Sequence, residues 1–290
     1  MVINKEIIIY AQGGLGNQLF QYGFARYLEI EKKKIVKFDT TFFKNNFRTF
    51  KLNQFKTYLQ IANKYEIQNS KYQRSNIFPW KIKSSVYVED SYFNFDFPIE
   101  KIDNGYCIGY WPKTEHLHKI IDELKDEIKI IDEIKDDSFF EYLNLIRNSE
   151  SVGIHIRRGD YLNKENKKLF TTLDETYYIK AVNYINTHVN NCHYYIFSDD
   201  INWVKSQKWF NTIKYTLVSF KDNDADLKEF ELLKSCKHHI IANSTFSWWA
   251  AFLNYNDSYI NICPSLWYNN EEYQKLYKNN KILNANFIKM

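Results

Sequence analysis

From Ser151 onward the chain alternates short apolar runs with longer amphipathic stretches, a rhythm that leaves few architectures open. Val152, Ile154 and Ile156 alternate with Gly153, His155 and Arg157, a period of two that reads as a strand with one apolar and one polar face. Asp174 is placed to cap a helix carrying Tyr177, Ile179, Val182 and Ile185, and His193 to Phe197 reads as the next strand, ending at Ser198-Asp199-Asp200. A short helix around Trp203 to Trp209 and a strand at Lys214 to Val218 follow. Asp224 or Asp226 then caps a helix from Leu227 to Cys236, before a strand at His238 to Ala242, a helix opened by Asn243-Ser244-Thr245 and a last strand at Tyr259 to Cys263. Strands alternating with helices need crossover connections, so the expected sheet is parallel and flanked by helices, with right-handed crossovers.

The first half starts the same way. Glu6 to Ala11 is a β-branched run that stops at Gly13-Gly14-Leu15-Gly16-Asn17-Gln18, after which Leu19, Phe20, Tyr22, Phe24, Ala25, Tyr27 and Leu28 recur at helical spacing. A second strand, Ile35 to Phe38, ends at Asp39. The glycine loop lacks the third glycine of the dinucleotide-binding fingerprint and the Gly-Lys-Ser/Thr of a Walker A loop, but it still lets backbone N–H groups approach an anion. Thr40 to Asn104 shows little periodicity, with Pro79 and Pro98 as breakers, and suits the short helices and loops of an acceptor site. Tyr106 to Trp111 reads as a strand with a Gly109-Tyr110-Trp111-Pro112 exit, and Leu117 to Ile146 reads as helical, its acids and lysines interleaved at i,i+3 and i,i+4. These signals predict two α/β domains, 1–148 and 149–290, which a chain of 290 residues accommodates.

Three polar clusters fall at strand ends: Arg157-Arg158, Ser198-Asp199-Asp200 and Asn243 to Ser247. In a parallel sheet these ends share one edge, where open α/β folds bind ligands. Two arginines followed by Gly159 place fixed positive charge there; His155 points the same way as Arg157, and a Ser/Thr-rich helix start adds backbone donors. A nucleoside diphosphate fits this set. A carboxylate such as Asp199 can accept two parallel hydrogen bonds from the N1–H and N2–H edge of guanine, while Asp199 or Asp200 can equally cap the next helix. The arginines can instead pair with Asp160 in a structural network. Asp222-Asn223-Asp224-Ala225-Asp226 imitates a metal loop, but Leu227 stands where a calcium loop has its turn glycine and Leu233 where it has its bidentate Glu, so the run reads as a helix cap.

Composition removes other classes. The net charge of +4, from 39 basic and 35 acidic residues, is too balanced for a dedicated nucleic-acid binder. Cys107, Cys192, Cys236 and Cys263 are dispersed without a C-x-x-C pair, which suggests neither a zinc site nor a disulfide framework. With no secretory signal or apolar span in sight, the expected location is cytoplasmic.

Four motifs, in order, resemble those of the bacterial α-1,2-fucosyltransferase family: Gly13 to Gln21, His155-Ile156-Arg157-Arg158-Gly159-Asp160-Tyr161, Ser198-Asp199-Asp200, and Ala242-Asn243-Ser244-Thr245-Phe246-Ser247-Trp248-Trp249. The resemblance spans about Gly13 to Trp267 and includes the H-x-R-R-x-D element. It implies a GT-B type architecture of two Rossmann-like domains, an acceptor-side domain at 1–148 and a donor-binding one at 149–290. The implied reaction is inverting, metal-independent transfer of L-fucose from GDP-fucose, a co-substrate, to the 2-hydroxyl of a terminal galactose on an oligosaccharide or O-antigen glycan. Site roles follow from the same likeness: Arg157 or Arg158 on the β-phosphate, His155 and Asp199 on the nucleoside, the turn of Ser244, Thr245, Phe246 and Ser247 at the pyrophosphate, and Asn243 among the donor-binding residues. Gly14, Gly16, Asn17 and Gln18 would close from the other domain. Asp160 is the nearest candidate base and Asp39 the next. No cofactor, metal or nucleic acid is implied, and peripheral association with the inner membrane face is compatible. The alternatives are a GT-B transferase using another GDP-sugar and a nucleotide-binding module without turnover.

Overall fold

The computed structural model describes residues 6–74, 82–84, 86–88, 102, 104–131, 134–254, 258–279, 282–283 and 285–290, so Pro79 and Pro98 lie outside the described residues. Two compact units divide the chain, Met1–Asp132 with Lys281–Asn284, and Glu133–Asn280 with Ala285–Met290.

Unit 1 begins with β1 (Glu6–Tyr10), α1 (Leu15–Lys32) and β2 (Ile35–Asp39), the expected strand, glycine loop, helix and strand. It continues through α2 (Lys64–Ser70), β3 (Tyr72–Arg74), β4 (Ile82–Ser84), β5 (Val86–Val88), β6 (Gly105–Ile108), α3 (Glu115–His118) and α4 (Ile121–Glu127). Its main sheet has the order β2-β1-β6-β5, all parallel, and β3 pairs antiparallel with β4. Ile7, Ile8 and Ile9 of β1 are all fully buried because this strand is covered on both faces. Trp111, at the exit of β6, is buried and stacks on Phe24 of α1 with ring centres 4.4 Å apart, so it belongs to the core.

The single helix expected over Leu117 to Ile146 is three pieces. After α4 the chain turns extended: Ile130 bridges to Phe55, Lys56 donates its N–H to Lys129 O (2.9 Å) and Ile131 donates to Gln54 O (2.9 Å). Asp136 then caps a new helix, α5 (Asp137–Arg147), by accepting the N–H of Phe139. That helix belongs to unit 2, with Asp136 paired to Lys228 and Tyr142 set edge-on to Phe220 at 5.9 Å. The division at 132/133 therefore precedes α5, where the expected boundary at 148/149 follows it.

Unit 2 continues with β7 (Glu150–Ile156), α6 (Lys164–Leu169), α7 (Glu175–His188), β8 (Cys192–Ser198), α8 (Ile201–Ser206), β9 (Tyr215–Val218) and α9 (Ala225–Ser235). The remainder is β10 (His238–Ile240), α10 (Thr245–Leu253), β11 (Asn261–Cys263), α11 (Glu271–Lys278) and β12 (Ile288–Lys289). The sheet is wholly parallel in the order β12-β11-β10-β7-β8-β9. Chain order runs outward in opposite directions from the β7/β10 pair, so the crevice beyond their C-terminal ends is the topological switch point. Asp174 caps α7 as expected, accepting from Thr176 N–H. At the start of α9 Asp224 holds the N-cap position without a side-chain bond, Asp226 accepts the N–H of Leu227 at 3.0 Å, and Asp222 accepts the N–H of Asp224 and pairs with Lys228 at 2.8 Å. No helix among the described residues is long and apolar enough to cross a membrane.

Gly153 sits where α9 crosses β7. A Cβ there would lie 2.6 Å from Leu233 Cδ1 and 3.2 Å from Cys236 Sγ, so the strand has room for no side chain. Gly153→Ala is expected to lower unfolding free energy by about 1–3 kcal/mol, the range for overpacking a core, read from denaturant midpoints at unchanged m-value.

Candidate functional site

The crevice of unit 2 is organised by one carboxylate. After β7 the chain turns through Arg157, Arg158 and Gly159 into a helical turn at Asp160–Leu162. Asp199, just beyond β8, accepts the backbone N–H of Arg158 at 2.8 Å through Oδ1 and pairs with Arg157 Nη1 at 2.9 Å through Oδ2. The turn presses so close that a Cβ on Gly159 would meet Asp199 Oδ2 at 2.8 Å. Asp160 pairs with Arg157 Nη2 at 2.7 Å. The guanidinium is thus held by two carboxylates on two elements, 25% exposed at its side chain.

Arg158 goes elsewhere. Its guanidinium stands 4.5 Å from the centre of the Trp203 ring, with Nε 3.3 Å from Asp200 Oδ2. Asp200 also caps α8, accepting from Trp203 N–H at 3.0 Å, so of the two acids open to a capping role it is Asp200 that fills it. The adjacent arginines therefore face different surroundings.

His155 stays on the side of Arg157. It is 7% exposed, its ring packs on Phe246 of α10 with centres 5.4 Å apart, and its Nδ1 has no hydrogen-bond partner. Burial and then the charge of Arg157 push its pKa down to about 3, so the imidazole is neutral in the unliganded chain. Ser244 opens α10 in an extended conformation without a side-chain cap, which leaves the helix start facing the same edge. Ser247 is fully buried and turned inward, its hydroxyl 3.3 Å from Ser244 O. Asn243 is also buried; its Nδ2 donates to Thr171 O (2.7 Å) and Trp267 O (2.9 Å), its carbonyl accepts from Tyr161 O–H (2.8 Å), and its Oδ1 has no partner. Of the residues expected here, the strand ends gather Arg157, His155, Asp199 and Asp160 with Ser244, Thr245 and Phe246, whereas Asn243 and Ser247 serve as inward staples.

In unit 1, Gly14 stands at the start of α1 without a side-chain cap, and its carbonyl accepts from Asn17 and Gln18 N–H, both at 3.0 Å; Gly16 is buried in the first turn. Gln18, expected on the donor, is fully buried: its amide donates to Gly13 O (3.0 Å) and Thr49 O (2.9 Å) and accepts from Lys51 N–H (2.9 Å). Asp39, the second candidate base, is buried and committed to Tyr106 O–H (2.6 Å) and Thr41 N–H (2.9 Å).

Sequence reasoning missed Glu229. It is one of several acids and lysines in α9 with no motif to mark it, yet its Oε1 lies 3.4 Å from Phe220 N in the loop after β9. Burial, helped by the charges of Asp226, Asp199 and Asp222, raises its pKa to about 7.

Phosphate binding is what this crevice suits: a fixed guanidinium, an unpartnered neutral imidazole and an uncapped helix start on one edge. Among the described residues no group of three or more His, Cys, Asp or Glu is placed to hold a metal ion. Two parallel α/β units with ligand-facing strand ends are the architecture of GT-B type sugar transferases. The fucosyltransferase NodZ from Bradyrhizobium has this fold, with a TM-score of 0.55 at 12% identity over 88% of this chain and 96% of that one. The model for glycosyl transferase family 11 matches residues 6–289, and the chain belongs to that family of glycosyltransferases. An alpha-1,2-colitosyltransferase of Escherichia coli is 32% identical over 92% of this chain and 93% of its own length. The O-antigen biosynthesis glycosyltransferase WbnK of Escherichia coli is 29% identical over 91% and 95%.

The sign of the Glu229 effect is fixed by linkage. Its folded pKa of about 7 lies above the ordinary carboxylate value, so the folded chain holds a proton that the unfolded chain has released. Stability contributed by that proton is present in acid and is lost as pH rises toward 7. Glu229→Gln should therefore match the wild type near pH 4 and gain about 3 kcal/mol over it by pH 8, measured as the pH dependence of unfolding free energy.

Proposed function

We propose that this chain transfers L-fucose from GDP-fucose to the 2-hydroxyl of a terminal galactose, in an oligosaccharide or O-antigen glycan, with inversion at the anomeric carbon. The observation that carries the reading is the guanidinium of Arg157, held rigidly by Asp160 and Asp199 beside the orphan Nδ1 of His155. The names of the two relatives, one for an α-1,2 linkage and one for O-antigen, support the linkage and the acceptor class. A NodZ structure with GDP supports the nucleotide.

In the reaction, acceptor O2 attacks C1 of the sugar, the O2–C1 bond forms, the C1–O bond to the β-phosphate breaks, and the hydroxyl proton passes to a base. Negative charge grows on the departing GDP. A guanidinium already fixed in place stabilises that charge without reorganising, and so favours the transition state over the ground state. Arg157 takes the β-phosphate, with His155 and the start of α10 as further donors. Asp160 is a positioning residue that orients Arg157 rather than the base. Arg158, stacked on Trp203, braces the turn. No divalent ion is required, and the protein acts in the cytoplasm. A second reading, in which the donor carries colitose in place of fucose, is favoured by the name of the 32% identical relative.

Arg157→Lys keeps the charge but loses the fork, so kcat/KM is expected to fall about a hundredfold or more, the scale of one lost transition-state donor. Arg158→Lys should cost less activity, and both variants should melt near the wild type. Equal losses in the two would remove the distinction drawn between the arginines. Turnover should also persist in EDTA; activity that vanishes there and returns with Mn2+ would overturn the metal-independent reading.

A further inference from the structure

Gln18 spends its amide on the backbone of a distant segment. Two of its three bonds reach Thr49 and Lys51, and the third reaches Gly13, so this buried side chain ties the glycine turn to residues 40–51. The tied segment leaves β2 at the C-terminal edge of the unit 1 sheet, where Asp39 fixes its start through Thr41 N–H. Its inner rings form a chain of contacts. Phe42 sets its edge to Tyr10 at 6.2 Å and to Phe43 at 5.1 Å, and Phe43 packs on Phe50 at 5.5 Å. Phe47 is left outside at 85% exposure, with the guanidinium carbon of Arg48 4.9 Å from its ring centre. The same guanidinium reaches the glycine turn, Nη1 lying 3.6 Å from where a Cβ on Gly14 would stand. A loop so firmly tied, carrying an outward aromatic ring and a cation next to a ligand-type turn, is built as a platform.

We propose that residues 41–50 are the shelf that receives the acceptor sugar, with Phe47 as its stacking surface and Gln18 as the residue that positions it. The proposal rests on the transferase reading above and names the acceptor subsite within it. The occupant is a galactopyranose. Its axial 4-hydroxyl leaves C3–H, C4–H and C5–H together on one face, an apolar patch that lies flat on an aromatic ring, whereas glucose has no comparably continuous face. Arg48 then offers N–H donors to hydroxyls at the rim, the edge that an apolar ring cannot serve. Phe47 thereby becomes a residue for choosing galactosides over glucosides.

The test uses the full chain with lactose and cellobiose as probes. Wild type should receive saturation-transfer NMR signal onto the galactose protons of lactose and much less onto cellobiose. Phe47→Ala removes an exposed ring and leaves the fold alone; it should abolish that preference and raise the KM for lactose about tenfold, the scale of one lost aromatic contact. Its GDP affinity by calorimetry and its slow hydrolysis of GDP-fucose without acceptor should be unchanged. Phe47→Tyr, which keeps the ring, should restore both preference and KM. Gln18→Met should raise the KM for lactose similarly while GDP affinity holds. Lactose handled by Phe47→Ala as by wild type would overturn the shelf, as would a wild type that binds GDP but shows no lactose signal. If the NMR preference for lactose, its loss in Phe47→Ala and its return in Phe47→Tyr appear as expected but no product forms from GDP-fucose, the donor assignment fails and the shelf stands.

Discussion

Everything at the strand-end edge of unit 2 depends on the carboxylate of Asp199 spanning from β8 to the turn that follows β7. One oxygen fixes the backbone of that turn and the other fixes the guanidinium that the turn carries. An arginine with several rotatable bonds pays for immobility in entropy, and a charged anchor on a parallel strand meets that cost during folding instead of at binding. Asp160 completes the clamp from within the turn itself. The neutral imidazole of His155 follows first from its burial and then from the same arrangement, since a second cation beside the Arg157 guanidinium would be repelled.

Much of this was legible because the relevant signals are local. The period of two in Ser151 to Ile156, the capping Asp174 and the apolar run of α10 each report their conformation within a few residues, and parallel topology then brings the strand ends together. What escaped depends on partners far along the chain. Gln18 looks like a ligand residue in a glycine loop, and only its bonds to positions 31 and 33 residues away reveal a staple. Glu229 stands among lysines and acids at helical spacing, and only its 3.4 Å approach to Phe220 N in the loop after β9 sets it apart from an ordinary surface acid. The break between α4 and α5 escaped because charges at helical spacing read the same whether one helix or two carry them; the bridge from Ile130 to Phe55 decides it.

The two arginines illustrate how a motif can overstate likeness. Written side by side, they suggest a doubled positive site, but successive residues leaving a strand point to opposite sides. Arg157 therefore joins His155, while Arg158 meets the indole of Trp203 and the carboxylate of Asp200. Their chemistry is identical and their surroundings are not.

Helix α10 begins at the ligand-facing edge and is buried through its remaining turns, with Trp248 and Trp249 both inaccessible to solvent. A change of shape anywhere along it is transmitted to its first turn, because close-packed interiors pass on strain instead of absorbing it. Substitutions at that edge are thus policed by the folding requirement itself. The segment after β2 is held at a few points instead, by the amide of Gln18, the carboxylate of Asp39 and ring contacts at the surface of unit 1. A change in that segment therefore has few packed neighbours to disturb, and its composition is freer to vary than that of α10.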